Sequence, residues 1–241
     1  MNKKIIAAVA FAFTGTVSAQ SAFQGFYGEI STGYENNTVN NTDITVSQSR
    51  VSAAFPARTF TDSNGGNASK GNMPLVLGLG YTFSLAPKFT LGLGADYSTL
   101  TTTTNTIQYT TAGQPARENK SNYKISNRYS IFLAPGYAID KDKLAYFKAG
   151  YSNQKLEGFD GTSGNAEGSS NMSGYVLGLG YKQMITSGFY GFAEGNYYNY
   201  SKVNLNGSGS TTGLRAGGTF TQTSNPGANA YNFLVGVGYK F

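Results

Sequence analysis

The last eleven residues, Tyr231 to Phe241, constrain this chain more than any other stretch. Tyr231, Phe233, Val235, Val237, Tyr239 and Phe241 alternate with Asn232, Leu234, Gly236, Gly238 and Lys240. A repeat of two is that of a strand, whose successive side chains point to opposite faces. One face is apolar or aromatic throughout, and the other is mostly small or polar. A domain in water has little use for a final strand with such an exposed face. A transmembrane β-barrel does, because lipid solvates the apolar face and the last strand closes against the first.

The opposite end agrees. Lys3 and Lys4 precede a short apolar run, Ile5 to Phe13, and Val17-Ser18-Ala19 offers a small-x-small cleavage site before Gln20. This is the pattern of a secretory signal peptide over residues 1–19, leaving 20–241 as a single barrel domain. The apolar run is about half of the roughly 20 residues that a membrane helix needs. No other segment is long and apolar enough to be one.

Composition fits export into a membrane as strands. Charged residues make up 12% of the chain, against about 25% in soluble domains. Gly (32) and Tyr (18) are abundant, and cysteine and tryptophan are absent. The fold therefore relies on no disulfide, and any interfacial aromatic girdle must be Tyr and Phe. The formal charge of +6 is scattered rather than gathered into a basic stripe, so nucleic acid is not an expected partner.

Eight segments alternate: Phe26–Tyr34, Leu75–Phe83, Phe89–Thr99, Tyr123–Ile139, Leu144–Lys155, Ser173–Gln183, Gly188–Tyr200 and Tyr231–Phe241. The seventh carries aromatics on both faces; placing Glu194 inward puts Phe189, Ala193 and Tyr197 outward. Pro135 lacks an N–H, so a bulge or a local gap in the ladder is expected there. Short connections at 84–88, 140–143 and 185–187 alternate with long Asn/Thr/Ser/Gly-rich ones near 35–72, 100–122, 156–172 and 201–229. Short turns on one side and long loops on the other characterise outer-membrane barrels. Two stretches in the long loops, Val51–Phe55 and Thr106–Tyr109, could prolong strands beyond the membrane or add a hairpin. Neither carries a full span of about 9–11 residues, so eight strands are favoured over ten.

Four Leu/Val-Gly-Leu/Val-Gly runs, at 77–80, 91–94, 177–180 and 235–238, resemble fragments of a phosphate loop. A dinucleotide fingerprint needs a helix after the glycines, and each run sits inside a strand. Inner-face glycines instead leave room in a narrow barrel for Tyr190, Phe192 and Tyr198. The charged strand positions Glu29, Asp96, Arg128, Lys148, Lys182, Glu194 and Lys240 all fall opposite the apolar stripe. They form either a satisfied polar core, since confined charges need partners, or a wet or gated conduit. The chain has no histidine, the commonest general acid–base group. No His/Cys set can hold zinc, and the loop acids Asp43, Asp62, Asp160 and Glu167 do not match an EF-hand. No enzyme activity, metal or cofactor is expected.

With these features the chain resembles the small eight-stranded outer-membrane barrels of Gram-negative bacteria, of the OmpA-like and OmpX-like or "porin family" type. The resemblance rests on the leader, the eight spans and the ending Gly238-Tyr239-Lys240-Phe241. It implies residence in the cell outer membrane, among its lipid and lipopolysaccharide. It also implies that Tyr239 and Phe241 act as the insertion signal read by the barrel-assembly machinery. A monomer is expected, with a structural or surface-interaction role (adhesion or shielding through the loops, which could hold an extracellular ligand). A narrow channel for ions or small solutes and a barrel holding an apolar ligand are the alternatives.

Overall fold

The computed structural model describes residues 22–111, 119–161, 164, 166–211 and 215–241. The expected leader, residues 1–19, lies outside them. Fifteen strands account for most of the described residues: β1 (Gly25–Asn40), β2 (Ile44–Gln48), β3 (Arg58–Ser63), β4 (Ala68–Asn72), β5 (Leu75–Ala86), β6 (Phe89–Ser98), β7 (Thr102–Thr103), β8 (Ile107–Thr111), β9 (Asn119–Asp140), β10 (Lys143–Asp160), β11 (Ala166–Met184), β12 (Phe189–Tyr200), β13 (Leu205–Ser210), β14 (Thr219–Ser224) and β15 (Gly227–Lys240). No helix among the described residues is long and apolar enough to cross a membrane.

Eight of these strands form a closed antiparallel circuit. β1 pairs with β5, β5 with β6, β6 with β9, β9 with β10, β10 with β11, β11 with β12, β12 with β15, and β15 returns to β1. Closure removes the unpaired edges that an open sheet would leave. Two-residue links join β5 to β6 and β9 to β10, and Ile185–Gly188 joins β11 to β12, all at one end.

The faces of this circuit follow the sequence alternation. Leu79, Leu133, Leu179, Phe233 and Val235 point outward and are exposed, while their neighbours Phe132, Lys148, Glu194 and Leu234 are buried inside. So continuous an exposed apolar belt marks a membrane or partner surface. Aromatics bound it above and below. On five strands, two outward aromatics stand eight residues apart: Phe26 and Tyr34, Phe89 and Tyr97, Tyr129 and Tyr137, Phe189 and Tyr197, Tyr231 and Tyr239. Eight residues of strand span about 26 Å, or about 20 Å once tilted by the usual 35–45°.

Much of the described part of the long connections is strand. β1, β9, β10 and β11 run past the outer aromatics, and within the segment expected as a loop at 156–172 β10 continues to Asp160 and β11 begins at Ala166. A second sheet, β13–β14–β2–β3–β8, continues from β9 through β8. At its other edge β13 lies directly on β11, since a Cβ on Gly168 would stand 2.7 Å from the Asn206 carbonyl oxygen. Together these elements make a cap over the circuit. Of the two ambiguous stretches, residues 107–111 form β8, whereas 51–55 form a bend closed by Val51 N–H donating to the Phe55 carbonyl at 3.1 Å.

β9 carries three irregularities. Toward β6 its ladder passes through Pro135, opposite Leu91. Toward β10 the ladder is interrupted between Leu133–Ala149 and Gly136–Tyr146 with no change of register, as expected of a residue without an N–H. The ladder to β10 shifts register instead at two other places: at Ile139, skipped between the Lys143–Asp140 and Leu144–Ala138 pairs, and at Asn127, whose φ is 54°. Asn tolerates the left-handed region better than other non-glycine residues, and the bulge inverts the face code of the strand. Below it the even positions Arg128, Ser130 and Phe132 point inward; above it Ile125, Tyr123 and Ser121 do.

Candidate functional site

The interior of the circuit gathers buried charged side chains into one set of ion pairs. At the short-turn end Glu29 pairs with Lys182 and accepts a hydrogen bond from the Tyr190 hydroxyl at 2.7 Å. The Lys182 ammonium lies 4.4 Å from the Tyr27 ring centre and 5.2 Å from those of Tyr146 and Tyr190, a cation–π cage around one charge. Mid-circuit, Lys148 bridges Asp96 at 2.7 Å and Glu194 at 2.9 Å with its ammonium over Phe132. Glu194 also accepts from the Tyr146 hydroxyl at 2.6 Å and the Asn196 amide at 2.8 Å.

Toward the cap, Arg128 donates to Glu35 at 2.6 Å, to Gln154 at 3.3 Å and to Asn37. Glu35 is further held by the amides of Asn37 at 2.8 Å and Asn232 at 3.1 Å. A 2.9 Å bond from Asn196 to Asn232 joins this layer to the one below. Three cations thus face four carboxylates, and neutral hydroxyl and amide donors add bonds to Glu29, Glu35 and Glu194, while the buried Asn196 Oδ1 has no partner among the described residues. In a low-dielectric interior such a network holds only when its charges are paired. A gap of about 30 Å³ remains, bordered by Thr90, Asp96 and Phe132 among others, enough for about two waters.

Sequence reasoning places Glu29, Asp96, Arg128, Lys148, Lys182, Glu194 and Lys240 on the inner face. The structure brings the first six into these layers. Lys240 stands half-buried at the short-turn mouth, opposite Tyr27, and belongs to none of them. Glu35 was missed. The first strand was expected to stop at Tyr34, yet it continues to Asn40. Glu35 keeps the inward parity of Tyr27, Glu29 and Ser31, which was the available signal.

Both ends of the lumen are packed shut by described residues. At the short-turn end Phe23 stands edge-on to Tyr190 at 5.9 Å and packs with Tyr27, Leu144 and Phe192. At the cap end Val39, Ala68, Leu156, Met172 and Val176 are wholly buried in one apolar cluster with Ile107, Tyr123 and Leu205. Burying side chains such as Leu, Met and Val contributes about 1.5–3 kcal/mol each. Within the cap, Asn41 accepts from Tyr123 at 2.7 Å and donates to Tyr109, and burial raises both phenols above their ordinary range. Glu167, on β11, accepts from Ser121 at 3.2 Å; burial raises its carboxyl above the ordinary value. No cluster of acidic side chains able to hold a metal occurs among the described residues.

No family model matches the chain, and neither does any curated protein. Among solved structures, the outer membrane protease OmpT from Escherichia coli superposes with a TM-score of 0.53 at 11% identity, covering 94% of this chain and 100% of that one. The chain has an outer-membrane protein fold. OprG from Pseudomonas aeruginosa (TM-score 0.43, 16% identity, 92% and 98% covered) and Ail, the attachment invasion locus protein of Yersinia pestis (0.35, 14%, 88% and 99%), are also similar. An outer-membrane fold accounts for the exposed apolar belt that water would not tolerate.

Proposed function

We infer that the chain is an integral outer-membrane protein, an eight-stranded transmembrane barrel with its short turns in the periplasm and its cap outside the cell. Its role is structural or surface-directed: the barrel anchors the cap, and the cap presents a surface for adhesion or shielding. The observation that carries this reading is the lumen. Three layers of paired charge fill it, and an apolar cluster closes each end. A conduit would need a continuous wet path, and the cap core offers none among the described residues. Proteolysis, the activity named for OmpT, finds no histidine here, and the carboxylates of Asp96 and Glu194 are both committed to Lys148.

Planar-bilayer recording on refolded residues 20–241 tests this. Barrels resistant to detergent migrate differently before and after boiling, so a heat-dependent gel shift verifies folding. A silent bilayer with verified insertion is the expected result. Reproducible current steps whose ion selectivity changes in Lys148→Ala would overturn it in favour of a narrow channel.

A further inference from the structure

The outer aromatic belt carries a second row above it. On the five strands with paired aromatics, the next outward residue on the cap side is Asn36, Thr99, Asn127, Asn199 and Asn229. On β10 and β11 it is Asn153 and Ser173, above Tyr151 and Tyr175. Beyond the lower aromatics of the same five strands the corresponding residues are Gln24, Pro87, Ile139, Ser187 and Phe241. On these seven strands the cap-side rim is polar and uncharged, interrupted before β5 by Gly71, opposite Asn36, and by the exposed Met73; the other rim is mixed and largely apolar.

We propose that this asparagine row is a collar that hydrogen-bonds the saccharide headgroups of glycolipid in the outer leaflet. The proposal rests on the membrane reading above. Depth supports it: two residues of strand place the row about 5 Å beyond the tyrosines, measured along the barrel axis, which is headgroup depth. Chemistry supports it further. A primary amide both donates and accepts, matching sugar hydroxyls that do the same, whereas a phosphate only accepts and is met by Arg or Lys. The cations nearest the row on β9 and β10 are already engaged, with Lys155 2.9 Å and Lys124 3.6 Å from Glu157.

The collar is also preorganised. Tyr151 and Ser173 hydroxyls stand 2.8 Å apart, Asn153 donates to Ser173 at 3.1 Å, and Asn199 donates to Tyr197 at 3.4 Å. Tyr129 lies opposite Asn153, Tyr175 opposite Asn199 and Tyr231 opposite Asn36. Three of the amides therefore sit beside a tyrosine ring, with hydrogen-bonding capacity left over.

The test is native mass spectrometry of the refolded chain in a sugar-free zwitterionic detergent, offered lipid A, dephosphorylated lipid A or phosphatidylglycerol. Wild type is expected to retain both disaccharide lipids over phosphatidylglycerol. Replacing Asn36, Asn153, Asn199 and Asn229 together by Ala should cut that retention by at least about tenfold, since each lost bond is worth a factor of about 2–10. Heat-dependent gel migration reports folding and membrane-type behaviour separately; its loss in wild type would sink the membrane reading rather than the collar alone. Should the fourfold variant not refold, Asn153→Ala and Asn229→Ala singly are expected to lose about twofold or more each. Unchanged retention in the variants, equal retention of phosphatidylglycerol, or loss of binding on dephosphorylation would each overturn the proposal, the last pointing to a phosphate site.

Discussion

Replacing Glu35 by Met tests the lumen network at the layer that sequence reasoning missed. The Glu35 and Arg128 side chains are 1% and 5% exposed and lie 2.6 Å apart. Removing the carboxylate leaves a buried guanidinium with only the neutral acceptors Asn37 and Gln154. Breaking a buried pair from one side costs about 3–5 kcal/mol, and Arg128→Met should cost a similar amount. With both residues changed to Met no charge is stranded. The remaining loss is the set of hydrogen bonds formerly made to Asn37, Asn232 and Gln154, about 1–3 kcal/mol in total. The pair should therefore show a coupling of at least about 3 kcal/mol in a double-mutant cycle. Reversible urea unfolding in lipid vesicles, followed by far-UV circular dichroism, reads this out. At a slope of about 2 kcal/mol per molar, each single variant should lower the midpoint by about 2 M and the double variant by much less. Additive costs, within about 0.5 kcal/mol, would refute the pairing and the extension of β1 on which it depends.

Other outcomes follow from the same geometry. A Cβ on Gly180 would lie 2.2 Å from the Tyr146 ring, while one on Gly28 meets nothing within 4 Å. Gly180→Leu should thus lose about 1–3 kcal/mol or more through overpacking and weaken the gel shift, with Gly28→Leu as the tolerated control. Because burial raises Glu167, the folded cap binds more protons than the unfolded chain. Cap stability should be full below the ordinary carboxylate range and decline as pH rises through the folded value. Hydrogen exchange of β11, β13 and β14 should accordingly be slower, after correction for intrinsic rates, at pH 4 than at pH 7, and Glu167→Gln should flatten the difference. Phe241 is 77% exposed and edge-on to Tyr239 at 5.1 Å. Phe241→Ala should change refolded stability by less than about 1 kcal/mol yet reduce insertion in cells; normal insertion would remove its role as a signal.

How much was legible depended on what surrounds each strand. Where the outward face is apolar and the inward face polar, alternation is strong. Leu77, Leu79 and Tyr81 against Gly78 and Gly80 leave no doubt about face or register. The three short turns and six of the seven inward charges came from the same signal. Past the outer tyrosines both faces of a strand meet polar surroundings, and the contrast fades. Glu35-Asn36-Asn37-Thr38 reads as loop because nothing apolar marks either side until Val39. The cap strands β2, β8 and β13 are five or six residues long and contribute one or two apolar side chains each, such as Ile44 and Val46, Ile107 and Tyr109, or Leu205. Their core forms only when distant segments meet. Asn127 was unreadable for a different reason: a bulge is one unpaired residue, and an Asn in an Asn-rich chain gives no local sign of a left-handed backbone.

The length of β9, β10 and β11 has a mechanical consequence. These strands pass without a break from the short turns into the cap, so the cap is held by stiff beams rather than by slack tethers. A pull on the cap along the barrel axis loads their ladders in shear, where many hydrogen bonds must yield at once. A pull across the axis would peel them one pair at a time. A surface built this way resists a pull along the barrel axis while remaining easier to pry sideways, and single-molecule pulling from residue 53 along the two directions would read the difference as unequal rupture forces.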